Sequence, residues 1–155
     1  MKKNLLLSPG PTQVPPQLCE VLGRPIIHHR TPQFQEFLKQ AQEGLKYIFQ
    51  TKNDVCILAC SGTGAMEASV ASFLSPGDKA IVIDGGKFGE RWTDLCKAFG
   101  IQAQVIKVEW GKGIDPQAVK KLLDADKSIK AVYATLVETC TGVTHDIQGL
   151  GAVVR

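Results

Sequence analysis

The sequence predicts an α/β fold, a mostly parallel sheet with helices on both faces, and three observations carry that reading. Short apolar runs alternate with helical stretches along most of the chain. The clearest runs, at residues 55–60 and 80–83, are continuous rather than alternating, as strands covered on both faces require. Glycine, proline, serine and aspartate punctuate the runs, and connections of this length imply right-handed βαβ units. Composition agrees: of 155 residues, 44% are hydrophobic and 21% charged, which excludes disorder and low-complexity architectures. A chain of this size buries roughly two-thirds of its unfolded surface, enough for a core without staples.

The elements follow in order. A proline-rich arm (Pro9, Pro11, Pro15, Pro16) leads into a short helix over Pro16–Leu22. Thr31-Pro32 supplies an N-cap and a proline at the first helical position. Phe34, Phe37, Leu38, Ala41, Leu45, Ile48 and Phe49 then recur at helical spacing over about 18 residues. Val55–Cys60 reads as a strand, broken by Ser61-Gly62-Thr63-Gly64, with a helix over Ala65–Phe73. Ser75–Asp78 is a turn and Lys79–Asp84 the next strand. Gly85–Gly89 reads as a flexible loop before a helix from about Glu90 to Phe99, closed by Gly100 in the left-handed conformation. Gln104–Val108 is a third strand, Asp115-Pro116 opens a helix carrying Val119, Leu122 and Leu123, and Lys130–Leu136 is a fourth strand. A loop over Glu138–Val143 follows, and Asp146 caps a last helix that stops at Arg155. The sheet is therefore expected to be incomplete at its C-terminal end, with an apolar helix face and a strand edge uncovered. The expected organisation is an arm and short helix over residues 1–30 and part of a larger α/β domain over residues 31–155.

Several function classes are disfavoured. Eighteen basic and fifteen acidic residues give a scattered net charge of +3, no footprint for nucleic acid or a membrane surface. No apolar run approaches the roughly 20 residues of a membrane span. The N-terminus, Met1 to Gly10, lacks the apolar stretch and cleavage site of a secretory signal. Five cysteines (Cys19, Cys56, Cys60, Cys96, Cys140) form an odd set without a C-x-x-C pair, and read as buried thiols of a cytoplasmic protein. His28, His29 and His145 lack zinc-ligand spacing, and no metal is expected.

In open α/β sheets, ligands bind beyond the carboxyl ends of the strands. Ser61-Gly62-Thr63-Gly64 lies there, and the following helix aims its free N–H groups at the loop, an anion site for which phosphate is the natural guest. A Walker A lysine is absent, and Ala59-Cys60-Ser61-Gly62-Thr63 lacks the glycines of a nucleophile elbow. A dinucleotide fingerprint is imperfect, with Glu67 in place of its third glycine, although Asp84 lies at a strand end about 20 residues on. Phe88, among glycines, could stack on a flat ring, and Glu138-Thr139-Cys140-Thr141-Gly142-Val143 adds a carboxylate and hydroxyls. Together these describe a site for a phosphorylated aromatic cofactor.

The same residues carry a resemblance. Leu7–Val14, His29-Arg30, Tyr47–Asn53, Ser61–Ala68, Pro76–Lys79, Phe88–Trp92 and Glu138–Val143 run in order at the spacing of one family. The chain resembles the N-terminal part of the class V, fold type I pyridoxal 5'-phosphate (PLP) aminotransferases, nearest the serine–pyruvate/alanine–glyoxylate branch. The resemblance implies that Gly62, Thr63 and Gly64 hold the PLP phosphate, that Phe88 stacks on the ring, and that the Thr139 hydroxyl reaches its phenolic side. It places Gly10 near the substrate and gives His29-Arg30 no role. Cys140 stands where the family usually has serine. The resemblance also implies a homodimer, and substrates that are a small amino acid, such as serine or alanine, and a 2-oxo acid, such as pyruvate or glyoxylate. No lysine here matches the Schiff-base lysine, which is expected beyond Arg155 together with the acid that holds the ring nitrogen and the arginine that grips the substrate. These residues alone are therefore expected to be inactive. Two alternatives stand beside this one: a nucleotide-binding (NAD-type) module using Gly62, Gly64 and Asp84, and a hydrogenase-associated or assembly protein keeping the fold without the chemistry.

Overall fold

A computed structural model describes residues 5–155; Met1–Asn4, part of the segment read above for a secretory signal, lie outside the described residues. The chain forms two compact units, Met1–Ala59 and Cys60–Arg155. In the first, helix α1 (Pro16–Leu22) starts on a proline, and helix α2 spans Pro32–Phe49. Thr31 caps α2 by accepting the Phe34 N–H at 3.3 Å. At its other end Gln50 adopts the left-handed conformation and donates its N–H to the Lys46 and Tyr47 carbonyls. Both helices match the sequence reading.

The expected strand at 55–60 is absent. Residues 56–60 are exposed, and no described strand pairs with them. A strand requires a neighbour for its backbone N–H and C=O groups, and an apolar run alone does not supply one. The expectation of buried thiols fails with it: all five cysteines are free, and Cys96 alone is buried.

The second unit is an α/β layer structure. Helix α3 (Gly62–Phe73) precedes strand β1 (Lys79–Asp84), helix α4 (Lys87–Ala98) and strand β2 (Gln102–Lys107). Helix α5 (Pro116–Ala125) and strand β3 (Ile129–Tyr133) follow. A short antiparallel pair, β4 (Val137–Glu138) and β5 (Val143–Thr144), then leads to helix α6 (Ile147–Val154). The three long strands are parallel, in the order β2-β1-β3.

The central strand sorts the core by alternation. Ala80 and Val82 face Val70 of α3, Leu74 just after it and Cys96 of α4, with Trp92 and Tyr133 stacked 4.7 Å apart in the same layer. Ile81 and Ile83 face the other way, onto Val119 of α5 and Leu150 of α6. Helices thus cover both faces. Asp115 and Asp146 cap α5 and α6 through the N–H groups of Gln117 and Gly149, and Gly100 closes α4 at φ +69°. The sequence reading differs at further places: α3 begins at Gly62 rather than Ala65, α4 begins at Lys87 rather than Glu90, β2 spans Gln102–Lys107 rather than Gln104–Val108, β3 ends at Tyr133 rather than Leu136, and a hairpin replaces the loop after β3.

Lys79, at the start of β1, donates to Asp126 at 2.7 Å, and the Ser128 hydroxyl and N–H add two bonds to the same side chain. The Lys79 ammonium, then Ser128, hold the Asp126 carboxyl well below the usual carboxylate range. A depressed folded-state pKa contributes stability above the unfolded value, near pH 4, which is lost as pH falls through and below it. Asp126→Asn should therefore flatten the loss of stability between about pH 4 and pH 2. Denaturant midpoints that fall equally steeply in both proteins over that range would contradict this.

Candidate functional site

The strand order places a topological switch point at the carboxyl ends of β1 and β3. From β1 the chain passes through Gly85-Gly86 into α4 on its way to β2, whereas from β3 it enters the β4–β5 hairpin. In open α/β sheets, ligands bind where the connections of neighbouring strands diverge in this way. Helix α4 begins there without a local cap, because its N-cap residue is Gly86. Its first N–H groups are met from the hairpin instead. Glu138, 1% exposed, accepts the Phe88 N–H at 3.2 Å through Oε1 and the Gly89 N–H at 3.1 Å through Oε2. The Lys87 N–H points to Cys140 Sγ at 3.4 Å, and Cys140 Sγ lies 3.4 Å from Glu138 Oε1. A Cβ on Gly86 would lie 2.4 Å from Glu138 Cγ, so that position has room only for glycine. Phe88 is half-buried in the first turn of α4, and Thr139 is exposed on the hairpin next to Glu138.

Helix α3 brings a second group of donors. Ser61, its N-cap, makes no side-chain cap bond, and the Gly62 and Thr63 amides meet no acceptor among the described residues. Open space surrounds a Cβ at Gly62, while one at Gly64 would press on Cys60 at 2.8 Å. Arg91 donates to the Thr63 hydroxyl at 2.7 Å, and its guanidinium carbon lies 5.4 Å from the centre of the Phe88 ring. Thr63 and Phe88 are therefore joined through one arginine. The unsatisfied amides, the positive helix end and the nearby arginine suit an anion, and the aromatic face suits a flat ring.

Of the further residues that the structure brings to this candidate site, sequence reasoning read Glu138 only as a rim carboxylate and assigned Arg91 no role. Arg91 had a signal, since it stands three residues from Phe88 and shares its helix face once α4 is known to start at Lys87. The capping of α4 by Glu138 had none, because its partners lie about 50 residues away in sequence. Gly10 belongs to the first unit, where its exposed backbone precedes Pro11 through a cis peptide bond. His28 and His29 stack there with ring centres 4.6 Å apart.

Two residues bear on the alternatives. Asp84 is buried at the end of β1 and ion-paired to Lys107, so its carboxylate is not free for a ribose. Lys87 pairs with Glu90 at 2.6 Å, which raises its pKa and keeps it a charged ammonium rather than a nucleophilic amine.

Comparison with known proteins converges on one group. The alanine–glyoxylate aminotransferase of Nostoc sp. superposes on the whole chain with a TM-score of 0.92 at 28% identity, using 41% of its own length. The fold is thus that of the PLP-dependent aminotransferases, over about two-fifths of their length. The family described as aminotransferase class-V matches residues 5–155, and the chain belongs to that family. The soluble hydrogenase 42 kDa subunit of Anabaena cylindrica is 43% identical over 99% of this chain. The L-aspartate–glyoxylate aminotransferase of Paracoccus denitrificans is 36% identical over 94%. The chain spans 40% and 37% of those two relatives.

Proposed function

We propose that the protein containing these residues is a PLP-dependent aminotransferase, moving an amino group between a small amino acid, such as serine or alanine, and a 2-oxo acid, such as pyruvate or glyoxylate. On this reading the chain provides the cradle of the cofactor within a cytoplasmic homodimer, and Gly10 approaches the substrate. The supporting observation is that Arg91 joins the Thr63 hydroxyl, in the first turn of α3 beside its unsatisfied amides, to the Phe88 ring.

The residues present fit PLP. The Gly62 and Thr63 N–H groups, with the Thr63 hydroxyl, would hold the phosphate, and Gly64 lets the helix start close to the preceding chain. Phe88 would cover one face of the ring and exclude water from it, and the Thr139 hydroxyl would donate to the ring oxygen. Bound PLP supplies an electron sink for the substrate's α-carbon. The lysine that bonds the cofactor and the acid at the ring nitrogen lie, on this proposal, outside residues 1–155.

Titrating the full-length protein with PLP should produce a saturable absorbance change, and alanine with glyoxylate should give turnover. Saturable NAD binding without PLP uptake would overturn the reading in favour of the nucleotide module. Retention of the fold with neither ligand would favour the assembly role suggested by the hydrogenase-subunit relative. Thr63→Val removes the hydroxyl and should weaken PLP binding about tenfold, the scale of one hydrogen bond to a charged group. An affinity equal to that of the parent protein in equilibrium dialysis would remove Thr63 from the phosphate site.

A further inference from the structure

The two candidate ring contacts lie on segments far apart in the chain, Phe88 in the first turn of α4 and Thr139 on the β4–β5 hairpin. A flat cofactor held between them requires the two segments to keep a fixed register. We propose that Glu138 is the positioning residue of this site: its carboxylate clamps the first turn of α4 to the hairpin and so sets the Phe88 ring against the Thr139 hydroxyl. The inference rests on the PLP reading above and adds to it a residue that touches no cofactor.

Three observations carry it. A helix leaves its first N–H groups without internal partners, and Gly86 has no side chain to cap them. The hairpin meets three in succession, Lys87 at Cys140 Sγ and Phe88 and Gly89 at the two oxygens of Glu138. Both carboxylate oxygens are thereby used at one turn, a geometry no neutral side chain of the same length reproduces. Glutamine has one acceptor oxygen and would turn an NH₂ group towards a backbone donor.

The second observation is closeness. Glu138 is among the largest fully buried side chains, and a Cβ at Gly86 would overlap its Cγ and its carboxyl carbon. The turn from β1 into α4 therefore lies directly against the carboxylate, leaving no room for α4 and the hairpin to slide past one another. Thirdly, the hairpin is held at its far end as well. His145, 3% exposed, abuts Gly85, accepts the Ile114 N–H at 3.1 Å through Nδ1, and donates its own N–H to the Leu136 carbonyl at 2.9 Å. With that end fixed, the register between Phe88 and Thr139 is left to Glu138.

The test compares the full-length wild-type protein with its Glu138→Gln variant by PLP equilibrium dialysis and by visible circular dichroism of bound PLP, which reports the orientation of the ring. A denaturant midpoint is measured beside them. The variant should remain folded, bind PLP about tenfold more weakly, and show an altered visible dichroic band. A lowered midpoint with unchanged affinity and an identical band would make Glu138 a structural cap only and overturn the proposal. If Glu138→Gln does not fold, Cys140→Ala, which removes the Lys87 acceptor and the thiol beside Glu138 Oε1, replaces it. A smaller change in the same band supports the clamp, and an unchanged band overturns it. A wild-type protein that takes up no PLP overturns the functional reading and this inference with it. Wild-type uptake with the variant unchanged overturns this inference alone.

Discussion

Replacing Gly89 with alanine is expected to lower stability by about 3 kcal/mol, the upper part of the range for overpacking. The new Cβ would lie 2.6 Å from Asp84 Cα and 2.9 Å from the Ile83 carbonyl oxygen. Both are backbone atoms of the central strand, so no side chain can rotate to make room. Relief requires α4 to lift away from β1, which would stretch the Gly89 N–H bond to Glu138 and displace Phe88. Alanine is the better helix former by about 1 kcal/mol, so propensity opposes the effect without cancelling it. Gly151→Ala is the control, since nothing lies within 4 Å of a Cβ there and α6 should gain slightly. Urea unfolding of the three proteins gives the comparison, and a loss below about 1 kcal/mol at Gly89 would mean that α4 moves freely.

Ile81→Ala is expected to cost about 4 kcal/mol, within the range for deleting a buried aliphatic side chain. Ile81 is fully buried on β1, which is hydrogen-bonded on both sides, and it packs in one layer with Ile114, Val119 and Leu150. Strands on either side limit how far the backbone can collapse into the space. The same substitution at Ile26, 99% exposed, should change stability by less than about 0.5 kcal/mol. Equal effects at the two positions would deny that the sheet carries the core of the second unit.

Much of the fold was legible because its signals are local. Thr31-Pro32, Asp115-Pro116 and Asp146 each place the start of a helix within a few residues of the donors they satisfy. Lys79–Asp84 was legible at both ends, as a run of buried residues between a proline-glycine turn and two glycines. The candidate site was legible in part: Gly62, Thr63, Phe88 and Thr139 were each picked out as rim residues. The start of α4 was not, because Gly85-Gly86 reads as a loop when the cap arrives from another segment. Val55–Cys60 misled for the converse reason, having a strand's composition without a described partner strand.

By itself, then, the sequence determined the α/β class, the starts of α1, α2, α5 and α6, the central strand and the family. Each of these depends on propensity, on caps acting within one turn, or on motif order along the chain. Tertiary structure alone decided the β2-β1-β3 order, the trans-capping of α4 by Glu138, and the bridge from Arg91 to Thr63 and Phe88. Those depend on which groups meet through space. A buried carboxylate is placed by whichever unsatisfied N–H groups the folded chain brings to it, and here they come from about 50 residues away.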